Sequence, residues 1–515
     1  MCPPPASSWP ALPAARTAGV CLHLTSLPGP HGIGDLGAVA RQALDTLCSM
    51  QVGVWQFLPT GPTAAPAHSP YLPLSAFAGN ELLIGVDELQ RAGLLRPDET
   101  AVLEALPRGT VDYERLCAAK PALLERAAAR FEYQAGAGDK RQRDAFVAAC
   151  DDHWLHDYAL FRLLRRRHAG RPWPQWEASL AQREPAALRR VATRFADELR
   201  VLKTMQYFFD RQWRELQRYA AQRAIRLFGD LPIYVPLDGA DAWSHPELFQ
   251  LGADGWPRRV AGVPPDYYSE DGQLWGNPLY DWPQHRAQHY AWWTARLRHA
   301  TAQADLVRID HFRGFEAYWS VPFGAASARD GEWRTGPGGD LFDALQRALG
   351  PLPIVAENLG MITAAVEALR TRYGMPGMRV LQFDLADERF TPASIREDCV
   401  YYTGTHDNDT LLGWYRGAPG DTRNSAEIAS LQQRIGELTG ATGAAVSAAL
   451  VKLAFDSAAR LAVAPMQDLL GLGAEARLNT PGTITGNWRW RLDALPRAAQ
   501  CRPVAAIVRA THRAG

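Results

Sequence analysis

The chain has 515 residues, of which 47% are hydrophobic and 21% are charged. A single hydrophobic core stops growing near roughly 250–300 residues, so we expect one enzyme-sized core with large insertions, or two to four domains. This composition excludes wholesale disorder and fibrous structure. The 55 Lys and Arg residues balance 55 Asp and Glu residues, so net charge gives no general reason to expect nucleic acid or an anionic membrane as a partner.

The seven cysteines are odd in number, scattered, and never spaced as Cys-x-x-Cys. This pattern is typical of reduced thiols, so we predict a cytoplasmic protein without a disulfide or zinc framework. Residues 1–17 lack the basic and apolar regions of a secretory signal and are predicted to be a flexible lead-in. No segment reaches the ~20 apolar residues that a membrane span requires, so no membrane partner is expected.

Eight short runs rich in Val, Ile, Leu and aromatic residues are predicted to be β-strands, and helical patterns separate many of them. Apolar runs without strict alternation indicate strands buried on both faces, as in parallel sheets. Eight such units predict an α/β fold, a (β/α)8 TIM barrel, with a doubly wound sheet as the alternative. The predicted strands are Gly19–Leu24, Val52–Pro59, Arg226–Val235, Leu306–His311, Pro353–Asn358, Met378–Phe383, Val400–His406 and Leu461–Asp468.

The uneven spacing of these strands indicates insertions in the barrel. Residues 60–225, between the second and third strands, are mainly helical in pattern and are predicted to form an inserted subdomain. Residues 237–283 are rich in Gly, Pro and aromatic residues and are predicted to form a substrate loop. We therefore predict one catalytic barrel over 18–515, interrupted by these two segments.

Common cofactor and hydrolase motifs are absent or fail in context. Gly32–Gly37 (GIGDLG) matches G-x-G-x-x-G, but Pro28 and Pro30 precede it and the strand Val52–Pro59 carries no acid. A dinucleotide fingerprint needs a preceding strand and a later acid, so a turn-rich loop entering a helix is favoured. No Walker A, Gly-x-Ser-x-Gly or His-Glu-x-x-His motif occurs, and neither a cofactor nor a metal is predicted.

Acidic residues lie at the C-terminal ends of several predicted strands. Asp310 comes two residues after Arg308, and side chains two apart on a strand share a face. An arginine beside an aspartate lowers the pKa of that aspartate, which suits a nucleophile that must stay ionised. Glu357 ends the next predicted strand, where desolvation can raise the pKa of a carboxyl group as a general acid requires.

The segment Tyr401–Thr410 (YYTGTHDNDT) places His406, Asp407 and Asp409 close together after a buried strand. Such a polar cluster is costly for folding unless it serves a site. Each acid could instead be the N-cap of a following helix, and Asp230 and Asp409 are the most open to that interpretation. Capping does not require the acids to converge, whereas the C-terminal ends of barrel strands open on one face.

Two carboxyl groups in opposite protonation states, beside aromatic side chains, are what glycoside-bond chemistry requires. One attacks or stabilises the sugar, and the other gives a proton to the leaving oxygen. Core packing is the simpler interpretation of any single aromatic residue, but aromatics in polar Gly/Pro loops more often bind ligands. The candidate sugar platforms are Tyr71, Trp243, Trp256, Tyr267, Tyr268, Trp275 and Trp282.

A series of short motifs runs in order along nearly the whole chain: Leu22–Gly37, Ser69–Tyr71, Ser75–Asn80, Gly229–Val235, Trp275–Pro278, Arg308–Gly314, Ala356–Gly360, Thr405–Asn408 and Asn479–Trp490. In these motifs the chain resembles the 4-α-glucanotransferases of glycoside hydrolase family 77, also called amylomaltases or disproportionating enzymes. The resemblance implies a retaining double displacement on α-1,4-glucans and maltooligosaccharides.

The resemblance also implies a role for each candidate residue. Asp310 would be the nucleophile that forms a covalent glucosyl-enzyme, Glu357 the acid/base, and Asp407 the carboxylate that grips the hydroxyls of the reacting sugar. The implied substrate-binding residues are Arg308 and His406 beside the same sugar, Tyr71 stacked on it, Trp275 on the acceptor side, and Asp230 at the barrel mouth.

Three positions depart from the family pattern. Glu81 and Leu24 stand where prolines are usual, and Asn358 stands where an acid is common. The segment 64–68 also differs from the usual Gly-rich stretch, which could reshape the loop that carries Tyr71. None of these positions is one of the three carboxylates, so we expect them to affect chain-length preference more than activity.

Two alternatives to the transferase are an α-amylase-type hydrolase with the same acids in a wetter site, and a non-catalytic glucan-binding protein. The intact set of Asp310, Glu357 and Asp407 argues against the second. A retaining mechanism further predicts that the Asp310 and Glu357 carboxyl groups lie ~5–5.5 Å apart, against roughly 6.5–9.5 Å in inverting enzymes. No oligomeric state follows from the sequence.

Overall fold

The computed structural model describes residues 12–265, 270–418, 421 and 423–514. Its strands are β1 (Thr17–Cys21), β2 (Val54–Gln56), β3 (Arg226–Leu231), β4 (Arg259–Val263), β5 (Gln273–Pro278), β6 (Leu306–Ile309), β7 (Ala317–Pro322), β8 (Glu332–Thr335), β9 (Ile354–Ala356), β10 (Gly377–Val380), β11 (Cys399–Tyr402) and β12 (Leu461–Pro465).

The α-helices are α1 (Ala38–Ser49), α2 (Val86–Arg91), α3 (Pro97–Glu104), α4 (Tyr113–Gln134), α5 (Ala137–Cys150), α6 (His156–Arg167), α7 (Ala178–Ala181), α8 (Pro185–Arg194), α9 (Ala196–Ala221), α10 (Ala240–Ser244), α11 (Trp282–Ala287), α12 (Ala291–Gln303), α13 (Gly339–Leu349), α14 (Ala364–Arg372), α15 (Leu381–Ala386), α16 (Leu411–Arg416), α17 (Ser425–Thr439), α18 (Val446–Asp456), α19 (Met466–Leu469) and α20 (Ala498–Ala510).

The larger sheet contains eight parallel strands in the order β10-β11-β12-β1-β2-β3-β6-β9. Its two end strands, β9 and β10, meet through a backbone hydrogen bond of 2.8 Å from Ala356 N to Pro376 O. Each strand overlaps one of the eight predicted runs. The barrel prediction is therefore confirmed, and the doubly wound alternative is wrong.

Apolar side chains from every barrel strand form one buried cluster, so the barrel is filled rather than open. Leu12 packs on this cluster, and Arg16 donates a hydrogen bond to the carbonyl of Phe455. Residues 1–11 of the predicted lead-in lie outside the described residues, and its last residue, Thr17, belongs to β1. The cluster includes Cys21, Val54, Phe228, Leu306, Val355, Met378, Val400 and Leu461.

Between β2 and β3 the chain forms helices α2 to α9. The longest of them, α9, buries a face that includes Phe208, Trp213 and Leu216, and helix α4 packs beside it. A separate buried cluster under α6 contains Phe161, Trp176 and other apolar side chains. These α9 side chains belong to the main core, which also contains Leu44 of α1 and Ile309 of β6, so this segment packs partly on the barrel and partly in the second cluster.

The predicted substrate loop 237–283 contains regular structure that the sequence did not indicate. Strands β4 and β5 lie inside it and pair with β7 and β8, which follow β6, in an antiparallel sheet of order β5-β4-β7-β8. Gly262 faces Leu274 on one side and Trp319 on the other. This segment thus joins the region after β6 to form a small sheet beside the barrel.

In these ranges, no single helix is both long and apolar enough to cross a bilayer. Helix Ser425–Thr439 together with residues Gly443–Asp456 meets the length and composition requirement only as a pair, and the two are bent by 70°.

Candidate active site

Asp230, Arg308 and Asp310 form one ion-paired group at the ends of β3 and β6. Asp230 and Arg308 are register partners on neighbouring parallel strands, so their side chains share a face. Arg308 Nη1 donates to both Asp230 carboxylate oxygens, at 2.8 and 2.7 Å, and Nη2 donates to Asp310 Oδ1 at 2.8 Å. The side chain of Asp230 is fully buried, whereas that of Asp310 is 27% exposed. Asp310 is therefore the more accessible carboxylate.

Asp230 lies within β3, so it is not the cap of a helix. Burial raises the pKa of Asp230, and the positive charge of Arg308 opposes that rise. The guanidinium of Arg308 is correspondingly held charged, because the two carboxylates raise its pKa well above the usual value despite burial.

Tyr71 and His406 form an aromatic wall beside Asp230. The Tyr71 hydroxyl donates to Asp230 Oδ2 at 2.7 Å and lies 3.3 Å from His406 Nδ1. The two rings stack with centroids 4.9 Å apart, and the Trp488 ring lies 5.9 Å from Tyr71. Burial raises the pKa of Tyr71 well above its usual value, so its hydroxyl remains a donor. Trp488 lies in the last sequence motif but was not predicted as a site residue.

Asp407 is held by residues that sequence reasoning did not find. Asn479 Nδ2 donates to Asp407 Oδ1 at 2.7 Å, and Arg477 Nη2 donates to the Asp407 backbone carbonyl at 2.9 Å. Asp407 Oδ2 lies 3.4 Å from His406 Nε2, and 47% of the Asp407 side chain is exposed. The carboxylate is thus fixed on one side and open on the other. Asn479 begins the last sequence motif, which was the only signal for it.

Asp409 does not cap the helix that follows it. The N-cap of α16 is Thr410, whose hydroxyl oxygen accepts from Gly413 N at 3.1 Å. Asp409 Oδ1 instead accepts from Thr410 N at 2.7 Å. The capping interpretation of Asp409 is therefore wrong, because the hydroxyl of Thr410 caps the helix instead.

Glu357 follows β9, the strand next to β6. Ile309 and Ala356 are register partners, so Asp310 and Glu357 both lie one residue beyond the same pair. The Glu357 carboxylate accepts two backbone hydrogen bonds, each 2.7 Å, from His311 N and Leu359 N. Burial raises the pKa of Glu357 to about 7; the charge of Arg308 opposes this rise and that of Asp310 adds to it.

Trp275, on β5, is the residue through which the small sheet contacts the candidate site. Its ring meets His311, the residue after Asp310, edge to face with centroids 4.8 Å apart. Its indole nitrogen donates to Gln273 Oε1 at 3.0 Å. Burial lowers the pKa of His311 to about 4, so this imidazole is neutral at physiological pH. His311 was not among the predicted site residues.

The remaining candidate platforms divide into three groups. Trp243 and Trp282 are 0% and 8% exposed and pack in the core, which is the simpler interpretation of a single aromatic residue. Trp256 stacks on Phe323 with ring centroids 5.8 Å apart. Tyr267 and Tyr268 lie outside the described residues.

The three departures from the family pattern are accommodated by local contacts. Glu81 accepts a hydrogen bond from Arg162, and Leu24 is fully buried in the main core. Asn358 Oδ1 accepts from Met378 N at 2.8 Å, which joins the strand end carrying Glu357 to β10. Each residue therefore has a structural role where it stands.

This arrangement places an ion-paired carboxylate and a carboxyl group of raised pKa just beyond two neighbouring strands. Asp310 is paired with Arg308, and burial raises the pKa of Glu357 to about 7. Aromatic rings lie near this pair, with Tyr71 at Asp230 and Trp275 at His311, and glycoside chemistry uses such a pair of carboxyl groups. Across the described ranges, no group of three or more His, Cys, Asp or Glu side chains could hold a metal ion.

A family model described as 4-alpha-glucanotransferase matches residues 22–496. A 4-alpha-glucanotransferase from Synechocystis sp. is 45% identical over 485 residues, which cover 92% of this chain and 94% of that protein. Another from Thermus thermophilus is 45% identical over 486 residues, covering 93% and 95%. The amylomaltase from Streptococcus agalactiae, solved in complex with acarbose, superposes with a TM-score of 0.91 at 33% identity, covering 97% of this chain and 100% of that one. These relatives favour the transferase over the hydrolase. The chain belongs to the 4-alpha-glucanotransferase family.

Proposed function

We propose that this chain transfers a segment of an α-1,4-glucan to the 4-hydroxyl of another glucan or of glucose by a retaining double displacement. Asp310 is the nucleophile and Glu357 is the acid/base. The observation that carries this proposal is the contrast between the two carboxyl groups. Asp310 is ion-paired to Arg308, whereas the pKa of Glu357 is raised to about 7 on the adjacent strand.

In the first step, a carboxylate oxygen of Asp310 attacks the anomeric carbon and the bond to the glycosidic oxygen breaks. Glu357 gives its proton to that oxygen, and the shortened glucan leaves. In the second step, Glu357 takes the proton of the acceptor 4-hydroxyl, whose oxygen attacks the anomeric carbon and releases Asp310. A carboxyl with a pKa near 7 suits both proton transfers at neutral pH.

The residues around this pair would hold the reacting sugar. Asp407, oriented by Asn479, presents its open carboxylate oxygen to sugar hydroxyls, and His406 lies beside it. Tyr71 offers a ring face, with its hydroxyl anchored on Asp230. Hydrogen bonds to sugar hydroxyls that strengthen in the transition state contribute several kcal/mol in retaining enzymes.

Transfer exceeds hydrolysis only if an acceptor sugar, rather than water, occupies the site during the covalent stage. We assign that function to Trp275, because its ring lies against the residue that follows Asp310. The proposed substrates are neutral maltooligosaccharides and longer α-1,4-glucans. None of the cysteines in the described part of the chain forms a disulfide, which supports a reducing compartment such as the cytoplasm.

Incubation with maltotriose as the sole substrate tests the proposal. Transfer produces glucose together with chains longer than maltotriose, whereas hydrolysis produces only shorter chains. The matched control is Glu357→Gln, which keeps the shape of the side chain but cannot donate or accept the transferred proton. This variant should lose the longer products. A wild-type product profile without any longer chain would refute the transferase function.

A further inference from the structure

Asp468 is a buried carboxyl group that the proposed chemistry does not use. It lies in α19, directly after barrel strand β12, and is 2% exposed. Its Oδ2 accepts from Thr403 Oγ1 at 2.7 Å, and its Oδ1 accepts from Leu411 N at 2.7 Å. Both carboxyl oxygens are therefore occupied by groups from another part of the chain.

The two donors lie at opposite ends of the loop 404–410. Thr403 directly follows β11, and Leu411 is the first residue of α16. Between them, the loop carries His406 and Asp407, the two residues proposed to hold the reacting sugar. The side chain of Asp468 is thus hydrogen-bonded to the residues at both ends of the loop.

Asp468 is also hydrogen-bonded through its backbone. Its backbone carbonyl accepts from Ser447 Oγ at 2.7 Å, and Thr403 N donates to Val463 O of β12 at 3.1 Å. Burial raises the pKa of Asp468 to about 7, with the negative charge of Asp409 adding to the rise. A buried carboxyl of this kind is costly for stability, so its bridging geometry requires a reason beyond packing.

We propose that Asp468 is a positioning residue for the transfer reaction, which fixes both ends of the loop 404–410 and thereby places Asp407 and His406 against the sugar. This inference rests on the proposed function of Asp407. Asp468 contacts the loop ends, so its effect on the sugar passes through the loop.

The test compares kcat and KM for maltotriose disproportionation in Asp468→Ala and Asp468→Asn. A catalytic group displaced by about 1 Å costs on the order of 100-fold in rate, so we expect Asp468→Ala to lower kcat by about that factor. KM should change little, because Tyr71 and Trp275 still bind the glucan. Asparagine keeps an acceptor for Leu411 N and can donate to the Thr403 hydroxyl, so Asp468→Asn should keep kcat within a few-fold of wild type.

Ser447→Ala is the matched control, because it removes a buried hydrogen bond to Asp468 without touching either loop anchor. It should lower the melting temperature and leave kcat unchanged. If Asp468→Ala lowers kcat no more than Ser447→Ala does, or if asparagine fails to restore kcat, the inference is wrong. Should Asp468→Ala not fold, Thr403→Val removes one anchor, and an unchanged kcat in that variant overturns the inference.

Asp407→Asn separates this inference from the proposed function on which it rests. Loss of transfer in Asp407→Asn, with normal kcat in Asp468→Ala, contradicts only the positioning function of Asp468. Normal transfer in Asp407→Asn contradicts the proposed function of Asp407, and the inference about Asp468 fails with it.

Discussion

Replacing Arg308 with methionine should destabilise the fold strongly, and more at neutral than at acidic pH. The arginine makes three hydrogen bonds of 2.7–2.8 Å to the carboxylates of Asp230 and Asp310. Its side chain is only 5% exposed. Methionine can occupy much of the same volume but donates no hydrogen bond, so Arg308→Met leaves both carboxylates without their cation.

The expected magnitude follows from the burial of the two carboxylates. Removing one partner of a buried ion pair costs about 3–5 kcal/mol, because the other charge stays buried without compensation. Asp230 is fully buried, whereas water can reach the 27% exposed side chain of Asp310. Most of the loss should therefore arise at Asp230, and we expect a loss of about 3–5 kcal/mol near pH 8.

The pH dependence follows from the raised pKa of Asp230. A carboxyl group whose pKa is higher in the folded protein than in the unfolded chain destabilises the fold as pH rises between those two values. Arg308 opposes the rise, so its removal raises the pKa of Asp230 further and extends this pH window upward. At acidic pH a larger fraction of Asp230 is protonated in the folded variant, so part of the loss is avoided.

Urea denaturation of wild type and Arg308→Met at about pH 5 and about pH 8 measures this difference. Arg389→Met is the control, because its ion pair with Asp387 is exposed, with the arginine side chain 90% accessible, and exposed pairs contribute about 0–1 kcal/mol. The double variant Asp230→Asn/Arg308→Met should recover stability near pH 8. An equal loss at both pH values, or a larger loss under acid conditions, would refute the reasoning.

Three further predictions concern the reaction. The kcat/KM for transfer should fall as pH rises, with a midpoint near pH 7, because Glu357 must be protonated in the free enzyme. A midpoint near the ordinary glutamate pKa would contradict the role of Glu357 as the acid. Trp275→Ala should raise the ratio of hydrolysis to transfer in the maltotriose assay, and an unchanged ratio would show that the acceptor binds elsewhere. In a crystal structure, the carboxyl groups of Asp310 and Glu357 should lie ~5–5.5 Å apart, and a separation of roughly 6.5–9.5 Å would indicate inversion.

The barrel was predictable because its strands are buried on both faces and so appear as apolar runs. β12, for example, reads Leu-Ala-Val-Ala-Pro and is almost entirely buried. The strands of the small antiparallel sheet, β4, β5, β7 and β8, do not appear as apolar runs of this kind. The four residues of β8 are all exposed, and β4 contains a glycine at the point where its pairing is irregular. These strands depend on partners from distant parts of the chain, which local pattern does not reveal.

The site was predictable to the extent that strand ends carry it. Asp310 and Glu357 follow neighbouring strands, and barrel geometry alone brings such residues to one face. Asn479 could not be found in this way, because it lies in an irregular segment and reaches Asp407 across the folded chain. Trp243 shows that a tryptophan in a Gly/Pro-rich segment can still pack into a helical core.

The hydrogen bond from Ala356 N to Pro376 O closes the barrel between β9 and β10. The three acids of the candidate site lie on both sides of this seam. Asp310 and Glu357 lie on one side of it, joined through the β6–β9 ladder, while Asp407 follows β11 on the other. The proposed nucleophile and proton donor are thus aligned by one continuous strand pairing. The path from Glu357 to Asp407 instead crosses the seam, where Ala356 N donates to Pro376 O and Met378 N donates to Asn358 Oδ1.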